Sequence, residues 1–163
     1  YLWGGETTLT LPDNPGRGGR NQSFALAAAQ RLAGCESVVL LAVGTDGTDG
    51  PTEDAGALVA GPTIARGAEQ GLAAAECLRR ADAGRFLEAS GDLIQTGPTG
   101  TNVMDLVIAI KIHPGADSTS TAADHPPAEE LWSANSWLAK VSSRLPLASH
   151  TRICAESFQS PST

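Results

Sequence analysis

Short apolar runs alternate along the chain with polar loops crowded with glycine. Residues 7–11 (Thr-Thr-Leu-Thr-Leu) are β-branched and alternate, which predicts a strand. Residues 37–43 form a short apolar run, the signature of a strand buried on both faces. Between them, residues 21–32 read as a helix rich in Ala and Leu, with Asn21 as its expected N-cap and Gly34 closing it. Thr52 followed by Glu53 and Asp54 predicts the start of another helix, because acids favour a helix N-terminus. Further helices are expected over 63–70, 73–82 and 84–90, and strands over 92–96 and 103–112. The last two strands are expected to pair as an antiparallel hairpin across a six-residue loop. The order predicts a layered α/β fold: a mixed sheet of about four or more strands, covered by helices.

Composition divides the chain. Residues 1–112 are expected to form the folded domain, whereas 113–163 carry Pro126-Pro127 and many Ser and Thr and read as a poorly structured tail. Inside that tail, Leu131, Leu138, Val141 and Leu145 lie on one helical stripe, which predicts a short amphipathic helix over 129–144. The net charge of −7 argues against nucleic acid and anionic membranes as partners. No 18-residue apolar run is present, so no transmembrane helix is expected. Cys35, Cys77 and Cys154 are too few and too scattered for a disulfide framework or a structural zinc site, and a cytoplasmic location is expected. The opening Tyr1-Leu2-Trp3 reads as the inside of a structural element, without a signal peptide, as if cut from a longer protein.

Residues 1–112 contain no His, and their sole Lys is Lys111. Ser-His-Asp and Cys-His schemes are therefore not available within them. Arginines, carboxylates, hydroxyls and backbone amides remain, the tools for holding anions and hydrated cations. The first loop, Gly16-Arg17-Gly18-Gly19-Arg20-Asn21-Gln22, leads into a helix mouth, where a carboxylate or phosphate would sit well. An ordinary turn with two solvated arginines reads equally well. The second loop carries Asp46 and Asp49, whose oxygens suit Mg²⁺ or its waters; simple Asp-Gly turn chemistry is the alternative. The third loop, Thr96-Gly97-Pro98-Thr99-Gly100-Thr101-Asn102, offers hydroxyls and an amide, or is merely a tight connection. The three loops are expected to converge on one edge of the sheet.

These strings, together with Gly4-Gly5-Glu6-Thr7-Thr8, resemble the C-terminal (MOFRL) domain of the type II glycerate kinases, a family also named hydroxypyruvate reductases. The resemblance implies transfer of phosphate from ATP, with Mg²⁺, to the 2-hydroxyl of D-glycerate, in a two-domain enzyme. It implies transition-state stabilisation by Arg20 and Arg17, and substrate or anion contacts at Gly16, Gly18, Gly19, Asn21, Thr99, Thr101 and Asn102. It makes Asp46 and Asp49 the metal candidates. The family's N-terminal nucleotide-binding domain has no counterpart in this sequence, so the chain alone is expected to be inactive and prone to homo-oligomerise. Two other readings stay open: an NAD(P)H-dependent hydroxypyruvate reductase, and a non-catalytic anion-binding module.

Overall fold

The computed structural model describes residues 1–112. The expected tail over 113–163 and its amphipathic helix lie outside the described residues. The elements are β1 (Leu2–Gly5), α1 (Arg20–Leu32), β2 (Val38–Gly44), β3 (Gly56–Ala60), α2 (Thr63–Glu69), α3 (Ala74–Arg79), α4 (Ala83–Ser90), β4 (Leu93–Ile94) and β5 (Asp105–Lys111). The strands form one five-stranded sheet in the order β1-β5-β2-β3-β4. The layered α/β architecture is thus as expected, and each pairing in it is antiparallel where a mixed sheet was foreseen. No helix among the described residues is long and apolar enough to cross a membrane.

One face of the sheet carries the core. Leu40 and Ala42 of β2, Ala57 and Val59 of β3, Ala109 of β5 and Trp3 of β1 meet Phe24, Leu26 and Leu32 of α1 and Phe86 and Leu87 of α4. The many alanines of α1 let that helix lie close against β2 and β3, and Ala25, Ala28 and Ala29 are all fully buried. Where α2 crosses α4, a Cβ on Gly67 would lie 2.1 Å from the Phe86 ring, so the crossing admits nothing larger than glycine.

Three expectations are corrected. Residues 7–11 keep their alternation, with Thr7 and Leu9 half-buried and Thr8 and Thr10 exposed, yet they form no ladder. Leu2–Gly5 takes the place beside β5 instead, because its Trp3 fills the core. The helix expected from Thr52 does not form. Asp54 is fully buried and accepts hydrogen bonds from Arg17 and Gln95 rather than from helix amides, and the apolar stretch after it becomes β3. Nor do β4 and β5 make a hairpin: β4 pairs with β3, and β5 sits between β1 and β2. The intervening loop therefore crosses the end of the sheet, over β3 and β2.

Candidate functional site

The mouth of α1 organises the site. Its N-cap, Gly19, supplies no capping side chain. The cap comes from the second loop, where the buried Asp49 accepts the Asn21 amide on Oδ1 at 3.0 Å and the Gln22 amide on Oδ2 at 2.8 Å. A Cβ on Gly19 would stand 2.3 Å from the Asp49 carboxyl carbon, so only glycine leaves room for this carboxylate. The expected Asn21 cap is corrected accordingly. The Asn21 side chain points to two carboxylates, donating from Nδ2 to Asp49 at 3.3 Å and to Asp105 at 3.0 Å. Burial pushes the Asp49 carboxyl up; the two helix amides oppose that shift and the nearby Asp105 charge reinforces it.

Arg20 begins α1 and lies against Asp105, the first residue of β5. Its Nε donates to Oδ2 at 2.7 Å and its Nη2 to Oδ1 at 3.1 Å, a fork on one carboxylate. Nη2 also reaches Glu6 at 3.1 Å. The hydrogen bonds to Asp105 hold the guanidinium firmly protonated. Nε and Nη2 are thus both engaged by carboxylates, while the side chain stays 38% exposed.

Arg17 belongs to a separate cluster. Its Nη1 donates to Glu88 at 2.6 Å and its Nη2 to the buried Asp54 at 2.8 Å, and the Glu88 bond keeps it charged. Its backbone is pinned to the α3–α4 junction, its amide donating to Asp82 at 2.9 Å and its carbonyl accepting from the Gly84 amide at 2.8 Å. Gly16 permits this approach, since a Cβ there would lie 2.4 Å from that of Asp82. Gly16, Gly18 and Gly19 thus have the chain's own Asp82, Gly84 and Asp49 for neighbours, so contact between chain segments already accounts for these glycines.

The second and third loops are zipped together. Thr99 donates from Oγ1 to the Thr45 carbonyl at 2.5 Å, and its amide donates to the Asp46 carbonyl at 3.2 Å. The Thr45 hydroxyl donates to the Met104 carbonyl at 2.7 Å and accepts the Val103 amide at 2.8 Å. Thr101 donates its amide to Thr99 at 3.3 Å, and Asn102 accepts the Met104 amide at 3.0 Å on Oδ1. Met104 itself has φ of 70°, a left-handed conformation uncommon for a non-glycine residue. Thr99, Thr101 and Asn102 are all exposed. Asp49 ties loop two to loop one, Thr45 and Thr99 tie it to loop three, and Asp105 closes the ring through Asn21 and Arg20. The three loops form one rim at the C-terminal end of β2, where Gly44 faces Asp105.

The two metal candidates differ. Asp49 has both oxygens on α1 donors and does not fit a Mg²⁺ ligand in this arrangement. Asp46 accepts the Thr48 amide and hydroxyl on Oδ1, at 3.0 and 3.2 Å, and keeps Oδ2 clear. One carboxylate oxygen is not a metal site, and among the described residues no three of His, Cys, Asp or Glu are grouped to hold an ion. Sequence reasoning missed Asp105, Asp54 and Glu88. The alternation of Asp105 with Val107 and Ala109 on the covered face of β5 was the one available signal, because an acid at such a position needs a partner.

Comparison with known proteins identifies the family. The sequence model of the MOFRL family matches residues 1–105. The D-glycerate 2-kinase of Thermotoga maritima is 48% identical over 109 residues, covering 67% of this chain and 26% of that enzyme. The glycerate 2-kinase of Pyrococcus horikoshii is 43% identical, covering 67% of this chain and 24% of its own length. A crystal structure of glycerate kinase from Thermotoga maritima superposes with a TM-score of 0.66 at 46% identity, over 68% of this chain and 27% of the other. The chain spans about a quarter of the length of these relatives. With the family match covering nearly all of the described fold, the chain belongs to the MOFRL family.

Proposed function

We propose that this chain is the portion of a glycerate 2-kinase that grips and orients the acceptor, so that the γ-phosphoryl group of ATP passes to the 2-hydroxyl of D-glycerate and 2-phosphoglycerate leaves. The observation that carries the reading is the single rim. Three loops far apart in sequence are bonded into one ring around Asp49, Asp105 and Thr45, with Arg20 and the exposed Thr99, Thr101 and Asn102 upon it.

Phosphoryl transfer asks a protein for placement and for fixed positive charge more than for covalent chemistry. Arg20 meets that demand, because Asp105 fixes the plane of its guanidinium before any substrate arrives and the side chain stays 38% exposed. A preorganised donor of this kind costs no reorganisation as charge builds on the transferring group. The Thr101 hydroxyl and the Asn102 side-chain amide add neutral donors for the glycerate carboxylate and hydroxyls, while Thr99, whose hydroxyl and amide are both committed to the second loop, holds them in place. Arg17 has its two terminal nitrogens on Glu88 and Asp54 in a separate cluster, so no contact to the acceptor is assigned to it. The nucleotide, its Mg²⁺ and the base that receives the hydroxyl proton are assigned to the larger remainder of such an enzyme, so the chain alone is inactive in this reading.

The test inserts this chain in place of the matched segment of the Thermotoga maritima kinase and follows phosphoglycerate formation. The chimera is expected to turn over, and Arg20→Ala to lower kcat by about 100-fold. Wild-type turnover in the Arg20→Ala chimera would refute the role of Arg20. NADH oxidation with hydroxypyruvate in place of phosphate transfer would favour the reductase reading.

A further inference from the structure

The helices cover one face of the sheet, and the described residues leave the other face bare. Along β2, Leu40 and Ala42 point into the core, so Val39, Leu41 and Val43 point away from it. The register carries this bare face across the strands. Leu41 stands beside Ile108 on one side and Leu58 on the other, and Ile108 stands beside Leu2. Val39 pairs with Ile110, and Val43 with Leu106. Leu2 is 67% exposed, Ile110 55% and Leu58 43%. No charged residue occupies these rows. An antiparallel sheet with one wet face alternates apolar and polar residues; this one is apolar on both faces, the pattern of a sheet covered on both sides.

We propose that this bare face is an interdomain docking surface, seating an apolar layer from the portion of the kinase chain that lies outside the matched quarter. The inference rests on the two-domain kinase reading above. Leu2, Leu41 and Leu58 of the central row lie within the segment that the family shares, and the kinases carry about three quarters of their length elsewhere. Residues 113–163 follow the family match and so are not what covers the shared sheet in the relatives.

Size decides between a linked domain and a second copy. Four strands about 4.8 Å apart, the number the central row crosses, with three rows of side chains about 7 Å apart, make a footprint of roughly 400 Å². Two such footprints bury roughly 800 Å². That is below the roughly 1,200 Å² at which two separate proteins form a stable complex, but within the range of interdomain contacts in one chain. Covalent linkage supplies the effective concentration that a second copy lacks.

The experiment compares Ile108→Lys and Leu58→Glu in two settings: the chain by itself, and the chimera with the Thermotoga maritima kinase. In the isolated chain both side chains enter water, so its melting temperature is expected to stay within about 2 °C of wild type. In the chimera each charge is driven into an apolar contact, so the domain transition is expected to fall by about 5 °C or more. Equal small effects in both settings overturn the proposal. Large losses in the isolated chain overturn it too, because the face is then covered without the kinase body. Sedimentation, and removal of residues 113–163, distinguish a second copy from the tail as that cover. Phosphoglycerate formation is read separately in the same chimera, so a failure of the kinase reading and a failure of docking are told apart.

Discussion

Removing the Asp49 carboxylate is expected to loosen the rim at its anchor. In Asp49→Ala three hydrogen bonds are lost: those from the amides of Asn21 and Gln22, which are left without an acceptor, and one of the two from Asn21 Nδ2, which keeps Asp105. Losing an N-cap costs about 1 kcal/mol, and a buried donor without a partner costs about 1–3 kcal/mol. Against this, the substitution relieves a desolvated charge that faces Asp105. The net expectation is a loss of about 3 kcal/mol, a large share of the 5–15 kcal/mol typical of a domain. Asp49→Asn keeps one acceptor but turns an NH₂ toward an N–H, and is expected to cost about 2 kcal/mol. Urea unfolding followed by far-ultraviolet circular dichroism measures both, with an unchanged m value confirming that the unfolded state is unaffected. A loss below about 1 kcal/mol for Asp49→Ala would refute the argument that this carboxylate holds the helix mouth.

Two further outcomes follow from the same packing and charges. Because burial raises the Asp49 pKa in the folded state, its titration favours folding below the ordinary carboxylate pKa, and that contribution fades as pH rises through the raised value. The stability difference between wild type and Asp49→Asn is therefore expected to shrink as pH climbs from about 4 toward neutrality, and unfolding curves across that range check the sign. Gly67→Ala is expected to destabilise by about 1–2 kcal/mol, although alanine is the better helix former by about 1 kcal/mol, because the added methyl meets the Phe86 ring; a stabilised variant in thermal melts would contradict this.

Much of the fold was legible because the apolar runs and glycine punctuation are local signals. The α1 helix, β2, α4 and β5 were all readable within a residue or two, since each carries its own periodicity. The misread parts depend on contacts distant in sequence. The alternation over 7–11 is genuine and only the pairing partner is missing, which no local pattern reveals. Thr52-Glu53-Asp54 has the chemistry of a helix start, but Asp54 is claimed by Arg17, far along the chain. At the site, residue types were readable and their allegiances were not. Asp49 has the look of a metal ligand in sequence, whereas its partners are helix amides, and Asp105 gave no motif at all. The bare sheet face was hinted at by the unbroken apolar run of β2.

The convergence of the three loops on one small anion is tested most directly by titrating the ¹⁵N-labelled chain with D-glycerate and following the backbone amides by NMR. The amides of Gly18 to Asn21, Thr48 to Gly50 and Thr99 to Asn102 are expected to shift together with a single dissociation constant. Shifts confined to one loop, separate constants for different loops, or no response at all would contradict a shared rim.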